Sequence, residues 1–531
     1  MAPSILHLPN GLTITVTPIF GGLYFKSNDL NTHNATSFPP GWTVVINTVD
    51  GGEIDSPVLA TEAVHEGHAP HNKRIIHPYH TPTLRNDHLF ISSISQPPSS
   101  EFRPASSQSR QIAMMLWATL YWYFQQPQPD PHMLTKQSSQ TPKSGRPKAD
   151  WRIQVNREGV FKSRVILPKL ERMGLIASED SCVGVDRDER AGEGWLDMFV
   201  SRRSFWQLDA RIYLFTLSPT SGSPYPGGGT PVNSRPGSPH RLGEERDNTP
   251  AGMNSIAAQG TFSGTQSPTP FTSASHLPTY YPPSPGQYVY TNGLRHPLRP
   301  KPGRPGEIVY TRFVPSVGQY LTFRVASILN KSTQHKGPIS THAMLASGRA
   351  SLSESVLTSI KDLHVEENDV DLLHKWMNNP RVNNYWGEAG NRDSQHAFLK
   401  RAMSSKHSVP LIGSFDGKPF GYFEIYWVKE DSLGRLLGDV GNYDRGIHCL
   451  VGEEEFRGPD RVKIWLSSLI HHLLLADNRT EMIMMEPRVD NTKLLNYALE
   501  AGFYKEKEVG FPHKQSNLLK LRRDAFEAPA I

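Results

Sequence analysis

At 531 residues the chain is too long for one compact core, so two domains plus linkers are expected. A hydrophobic fraction of 37% with 44 prolines fits globular parts separated by unstructured stretches. The formal charge of +5 is spread thinly, with only short basic pairs such as Arg202-Arg203 and Arg522-Arg523, which argues against a nucleic-acid partner.

Alternation of apolar and polar residues over Leu12–Val16 and Gly41–Ile46 predicts strands separated by Gly, Pro and Asn turns. The stretch from Glu62 to His80 holds five histidines without the HExxH spacing of a helical zinc site, and its prolines and polar residues read as a solvated loop; no metal site is expected. Leu116, Trp117, Leu120 and Phe124 recur at helical spacing over Gln111–Phe124. Phe161–Leu170 reads as a helix stopped by Gly174, and Phe205–Thr216 as one more ordered element. The region 1–217 is thus an α+β domain, either a degenerate copy of whatever fold follows or a winged-helix module around 164–176. Residues 218–307 are rich in Pro, Gly, Ser and Thr and bury too little apolar surface to offset chain entropy, so they read as a linker. Residues 308–351 read as a connecting segment that begins strand-like.

From 352 to 531 the pattern is an ordered α/β series. Val370–Asn378 is a helix. Pro410–Phe415 and Pro419–Trp427 are strands joined by the hairpin turn Asp416-Gly417. Gly446–Gly452 is a strand, Asp460–Leu475 a helix, Met482–Met485 a strand and Asn491–Ala501 a helix ended by Gly502, with further strands around Phe503 and Leu518. At one junction a strand runs through Arg457, Gly458 and Pro459 into a helix carrying Asp460 and Arg461. Free N–H groups and the dipole at a helix start attract a pyrophosphate, Gly458 permits close approach, Pro459 suits a first turn, and the arginines add charge-assisted bonds. Many strand-to-helix turns share these residues, so the junction alone does not identify a site.

Seven segments in order sharpen it: His374–Val382, Gly421–Trp427, Asp444–Gly452, Phe456–Gly458, Glu486–Asn491, Ala501–Phe503 and Phe511–Lys514. Over about 170 residues these resemble the siderophore-biosynthesis branch of the GNAT acyltransferases, the aerobactin and mycobactin type, and the long N-terminal extension resembles the fungal hydroxyornithine enzymes. The chain departs from the usual coenzyme A loop, since Pro-Asp follows Gly458 where many relatives have another glycine. The resemblance implies a GNAT fold with a mixed, largely antiparallel sheet, and transfer from acetyl-CoA or another acyl-CoA co-substrate, with no permanently bound cofactor. The acceptor it implies is the hydroxylamino nitrogen of N5-hydroxyornithine, with acetyl favoured. Anhydromevalonyl transfer, an N6-hydroxylysine acceptor and a non-catalytic acyl-CoA-binding scaffold are the alternatives.

A hydroxylamine is largely neutral at pH 7, so a mild base and good positioning suffice. The resemblance puts the catalytic pair at His448, as base, and Asp490, orienting the imidazole or contacting the acceptor. Without it, His448 reads equally as a satisfied strand residue and Asp490 as a helix cap. Backbone N–H groups at Cys449 and Leu450 are expected to polarise the thioester oxygen, and Leu450, Arg457, Gly458, Pro459, Asp460 and Arg461 to hold coenzyme A. Trp376, Arg381, Trp386, Glu424, Tyr426 and Trp427 are candidates to line the acceptor pocket. Direct transfer leaves no role for Cys449 as a nucleophile. The two cysteines, Cys182 and Cys449, fall in different regions, which favours a reducing compartment. No apolar run has membrane-spanning length and neither end carries a secretory or peroxisomal signal, so a cytoplasmic protein with no membrane contact is expected. A siderophore peptide synthetase and a second copy of the chain are the protein partners such an enzyme admits.

Overall fold

The computed structural model describes residues 2–28, 38–49, 75–95, 108–135, 137–163, 165–178, 198–214, 287–291, 293–329, 337–340, 342–343 and 368–527. Most of the histidine-rich stretch, residues 218–286 and Cys182 lie outside these.

The N-terminal unit starts as an antiparallel meander of β1 (Ser4–His7), β2 (Thr13–Ile19), β3 (Gly22–Ser27) and β4 (Gly41–Val49). Period-two alternation turns Ile14, Val16, Phe25, Trp42 and Val44 inward. The short β5 (Ile76–Pro78) pairs with the end of β4, and β6 (Asp87–Ile94) lies along it. The chain crosses through α1 (Gln108–Tyr123) to β7 (Arg152–Val155), the parallel neighbour of β6. Residues 112–123 of α1 are all buried, because one side covers the sheet and the other is covered by the helices that follow, with Phe205, Trp206 and Tyr213 against Trp117 and Tyr121. Next come α2 (Ile166–Arg172), then β8 (Met198–Ser201) antiparallel to β7, then α3 (Arg202–Trp206) and α4 (Ala210–Leu214). Because α2 packs on α1 and the chain returns to the same sheet, the winged-helix alternative is not what these residues build.

The expected linker ends in a described hairpin, β9 (Tyr288–Thr291) and β10 (Leu294–Pro297). The expected connecting segment supplies β11 (Ile308–Val314) and β12 (Gln319–Val325), the first two strands of the C-terminal sheet, so that unit starts at 308 rather than 352. Its helices α5 (Asp369–Met377), α6 (Pro380–Trp386) and α7 (Arg392–Met403) each open on an asparagine whose side chain accepts a first-turn N–H. The sheet continues through β13 (Ser408–Phe415) and β14 (Lys418–Trp427). Their turn has positive φ at both Asp416 and Gly417, a type I′ geometry that closes the expected hairpin. After α8 (Ser432–Leu437) come β15 (Arg445–Val451), α9 (Pro459–Ala476), β16 (Met482–Met485), α10 (Thr492–Glu500), β17 (Tyr504–Phe511) and β18 (Lys514–Arg522). The strand order is β11-β12-β13-β14-β15-β16-β18-β17.

Both halves contain an antiparallel meander, a crossover helix and a parallel partner held over only two residue pairs. These are His88↔Gln154 and Leu89↔Val155 in the first, and Arg445↔Ile483 and Gly446↔Met484 in the second. A splayed strand pair in each is the topology expected of a tandem GNAT-like arrangement. The halves share one continuous apolar core. At the seam His7 stacks on Phe313 with centroids 3.9 Å apart, and the Tyr320 hydroxyl donates to the Leu8 carbonyl at 3.2 Å.

Candidate active site at the splayed strands

Past Gly446, β15 loses β16 as a partner. The Val428 N–H donates to Asp444 O and the Gly452 N–H to Phe420 O, which fixes the phase of the β14–β15 ladder. Antiparallel alternation then spends the N–H groups of His448 and Leu450 on β14 and aims those of Ile447, Cys449 and Val451 at the opening. Of the two expected oxyanion donors, Cys449 N–H therefore faces the gap and Leu450 N–H does not. The Leu450 side chain is buried in a core cluster with Trp376 and Tyr422.

His448 lies directly opposite Glu424 in this ladder, so both side chains share a face. The Glu424 carboxylate lies 2.9 Å from His448 Nδ1 and also accepts the Tyr422 hydroxyl at 2.8 Å. Glu486, at the end of β16, lies 2.7 Å from Nε2, and Lys514 Nζ approaches its other oxygen at 3.5 Å. Burial would lower the His448 pKa, but the Glu486 charge and hydrogen bonds to both carboxylates override it, and the net shift is well upward. For Glu424 and Glu486 burial pushes up while His448 pulls down, with a net lowering for each. The result is an imidazolium clamped between two carboxylates, with its ring 29% exposed toward the opening.

The expected partner of this ring, Asp490, is elsewhere. It forms a two-pronged pair with Arg488 at 2.6 and 2.8 Å and is more than half exposed, while both imidazole nitrogens are taken by glutamates. Arg488 also donates to the Asn384 carbonyl of α6 at 2.8 Å, tying this turn to the helix that carries Trp386. Glu486, in the segment Glu486–Asn491, is a partner that the sequence reading does not name; its signal is its place just past the strand that splays from β15.

The acceptor-pocket candidates divide by strand period. Tyr426 shares the face of Glu424, its ring 4.6 Å from His448 and its hydroxyl buried without a partner. That ring lies over Gly446, where a Cβ would come within 2.1 Å of it, so no larger residue fits there. Trp386 stands edge-on at 6.4 Å from His448. Trp427 points to the other face, between the guanidinium groups of Arg299 at 4.2 Å and Arg445 at 3.9 Å, and takes no part in the cleft. Arg299 is held there by a two-oxygen pair with Glu430, which docks the hairpin's end on the C-terminal unit. Trp376 is fully buried against Gly452 and donates its indole N–H to Glu453 at 2.8 Å. Arg381 donates to the Val451 and Gly452 carbonyls at 3.1 and 3.2 Å, bracing the end of β15 and not the acceptor cleft.

The strand-to-helix loop has the expected form. Gly458 caps α9 with φ 103°, ψ 165°, a conformation only glycine adopts readily, and Pro459 opens the first turn. Arg457 is paired with Glu454 at 2.5 Å, and Arg381 lies 3.6 Å from the same carboxylate. Arg461 donates to Gln319 at 2.9 Å and stacks over Phe415 and Phe456. Asp460 is exposed in that turn. Burial pushes the Cys449 thiol up to about 12, so it stays protonated.

The N-terminal half keeps this topology without its chemistry. Counting three residues on from its splayed pair reaches Ile91, opposite Val44, both fully buried, where the second half has His448 opposite Glu424. Its cleft is filled by the turn 159–162, with the Gly159 backbone against the Ile91 carbonyl and Phe161 buried.

A family model described as an acetyltransferase (GNAT) domain matches residues 365–511. The N5-hydroxyornithine acetylase sidL of Beauveria bassiana is 45% identical over 97% of this chain and all of its own length. An N(6)-hydroxylysine O-acetyltransferase of Escherichia coli is 35% identical over 43% of this chain and 59% of its own. Among solved structures, an uncharacterised Bacillus halodurans protein aligns with 42% of this chain and 94% of its own at 24% identity, TM-score 0.33. Among the described residues no helix is long and apolar enough to cross a membrane.

Proposed function

The chain belongs to the GNAT acyltransferases of siderophore hydroxamate assembly, and from that premise we propose that it transfers acetyl from acetyl-CoA to the hydroxylamino nitrogen of N5-hydroxyornithine. The observation that carries the acceptor is the 45% identity to the hydroxyornithine acetylase, which spans both halves and not only the shared acetyltransferase unit. The cytoplasm, with its acetyl-CoA, is the proposed setting.

The thioester carbonyl lies in the opening between β15 and β16, its oxygen toward the Cys449 N–H. The neutral hydroxylamino nitrogen adds to the carbonyl carbon, becoming positive as the oxygen becomes negative. The Glu424–His448–Glu486 unit carries one positive ring and two carboxylates, with Lys514 against the outer oxygen of Glu486, and its carboxylates favour the positive charge on that nitrogen. The nitrogen's proton passes to a carboxylate of the unit, the C–S bond breaks as the hydroxamate forms, and the unit hands that proton on to the coenzyme A thiolate, which restores its starting charge. Titration of three groups this close belongs to the unit and not to His448 alone. Arg457, Arg461 and the N–H groups of the first turn of α9 hold the pyrophosphate. Trp386 and Tyr426 flank the acceptor, and Asp490 with Arg488 faces its amino-acid end.

The test is an acyl-transfer assay with hydroxyornithine, hydroxylysine and plain ornithine against acetyl-CoA and bulkier acyl-CoAs. Hydroxyornithine with acetyl-CoA is expected to be preferred. His448→Ala should lose about 10²–10⁴-fold in kcat while still binding coenzyme A, and Asp490→Ala should raise KM for the acceptor. Equal turnover of plain ornithine would overturn the hydroxamate assignment.

A further inference from the structure

Where the two units meet, a cleft lies between α1, α3, β11 and α9. Its outstanding feature is Arg312, only 5% exposed, whose Nη1 is buried without a hydrogen-bond partner and whose guanidinium lies 4.8 Å over the Trp206 ring. No carboxylate is recorded in an ion pair with it among the described residues. An ionised group is costly to bury without a counter-charge, and one aromatic face offsets only part of that cost.

Donors crowd Arg312, and the carboxylate in the lining, Asp209, lies 3.6 Å from Arg211, a second guanidinium of the same cleft. The indole N–H groups of Trp117 and Trp206 and the Tyr121 hydroxyl line the same cleft and are likewise buried without partners. Burial pushes the Tyr121 pKa up to about 12, which keeps its proton in place. His471 supplies no charge. Its Nε2 donates to the Trp206 carbonyl, its Nδ1 accepts the Tyr310 hydroxyl at 2.9 Å, and burial pulls its pKa down to about 3. Val309 and Leu475 give the cleft an apolar side, and the space holds only a few non-hydrogen atoms.

We propose that this seam is a binding site for a small monocarboxylate, its oxygens on Arg312 Nη1 and the neighbouring donors and its short tail against Val309 and Leu475. With Asp209 set against Arg211, the Arg312 guanidinium is left to balance one negative charge, and the apolar side suits a carboxylate with a methyl or ethyl tail better than a heavily hydrated phosphate. The site joins α1 to α9, whose other end opens the coenzyme A loop, so occupancy ties the two units together.

Thermal unfolding of the full chain tests this, with acetate, propionate or phosphate added against matched chloride. For wild type a saturable rise in Tm of roughly 2 °C or more is expected as acetate goes from about 1 to about 50 mM. The rise should vanish in Arg312→Met and shrink in Tyr121→Phe, which keeps the charge and packing, and it should survive in His448→Ala, which separates it from the acetyl-transfer site. No saturable response to either carboxylate, a response to phosphate alone, or an undiminished response in both Arg312→Met and Tyr121→Phe would each overturn the assignment and leave the cleft to water.

Discussion

With a carboxylate on each ring nitrogen, His448 gains more from its proton than burial removes. Its pKa is raised, so the stability it contributes is full below the ordinary value of 6.5 and is lost as pH rises through the folded value. Glu424 and Glu486 have lowered values, so their contribution is full above the ordinary 4.5 and is lost as pH falls through the folded ones. Between those limits the unit is fully charged. Nitrogen-15 NMR of the imidazole should therefore find His448 still protonated at pH 7. In Glu486→Gln, which keeps a hydrogen-bond acceptor and removes the charge, its titration should move down toward the ordinary range. The same change should lower kcat more than it raises KM, since the proposed coenzyme A site lies on a different element.

That other element is the turn into α9. Gly458 holds a φ of 103°, which costs a side-chain-bearing residue about 1–3 kcal/mol, so Gly458→Ala should weaken coenzyme A binding by about tenfold or more. Calorimetric titration with coenzyme A measures this directly. Glu454 pairs with Arg457 and lies near Arg381, so under the proposed binding mode it competes with the pyrophosphate. Glu454→Gln should accordingly tighten coenzyme A binding a few-fold, an effect that fades at high salt because the carboxylate is largely exposed.

Across the whole molecule the two halves share a core, a stacked His7–Phe313 contact and the buried Tyr310–His471–Trp206 chain. They should therefore unfold together, and calorimetry of the full chain should show one cooperative transition. A fragment starting at residue 287 would uncover the β11 edge and the His471 side of α9, and should melt lower and associate. The first half packs its core against the second, its own cleft is closed by 159–162, and Val44 and Ile91 stand where the second half has Glu424 and His448.

Much of this was legible in the residues themselves. Local rules carry short-range structure, so the Asp416-Gly417 hairpin, the Gly458-Pro459 helix start and the α1 and α9 stripes follow from turn chemistry and periodicity. The strand bearing His448 could be read for the same reason. Which groups meet His448 could not, because Glu424 and Glu486 lie 24 and 38 residues away and reach it through strand register and a crossover. Period two alone separates Tyr426 from Trp427, but only the sheet's packing decides which face is the cleft. The membership of β11 and β12 in the second sheet, and the buried Arg312 at the seam, likewise depend on how distant segments dock. The sequence by itself determined the acetyltransferase unit and its glycine-proline helix start. Tertiary structure decided the partners of its central histidine and the strand topology of the first half, since those rest on long-range contacts that no local pattern encodes.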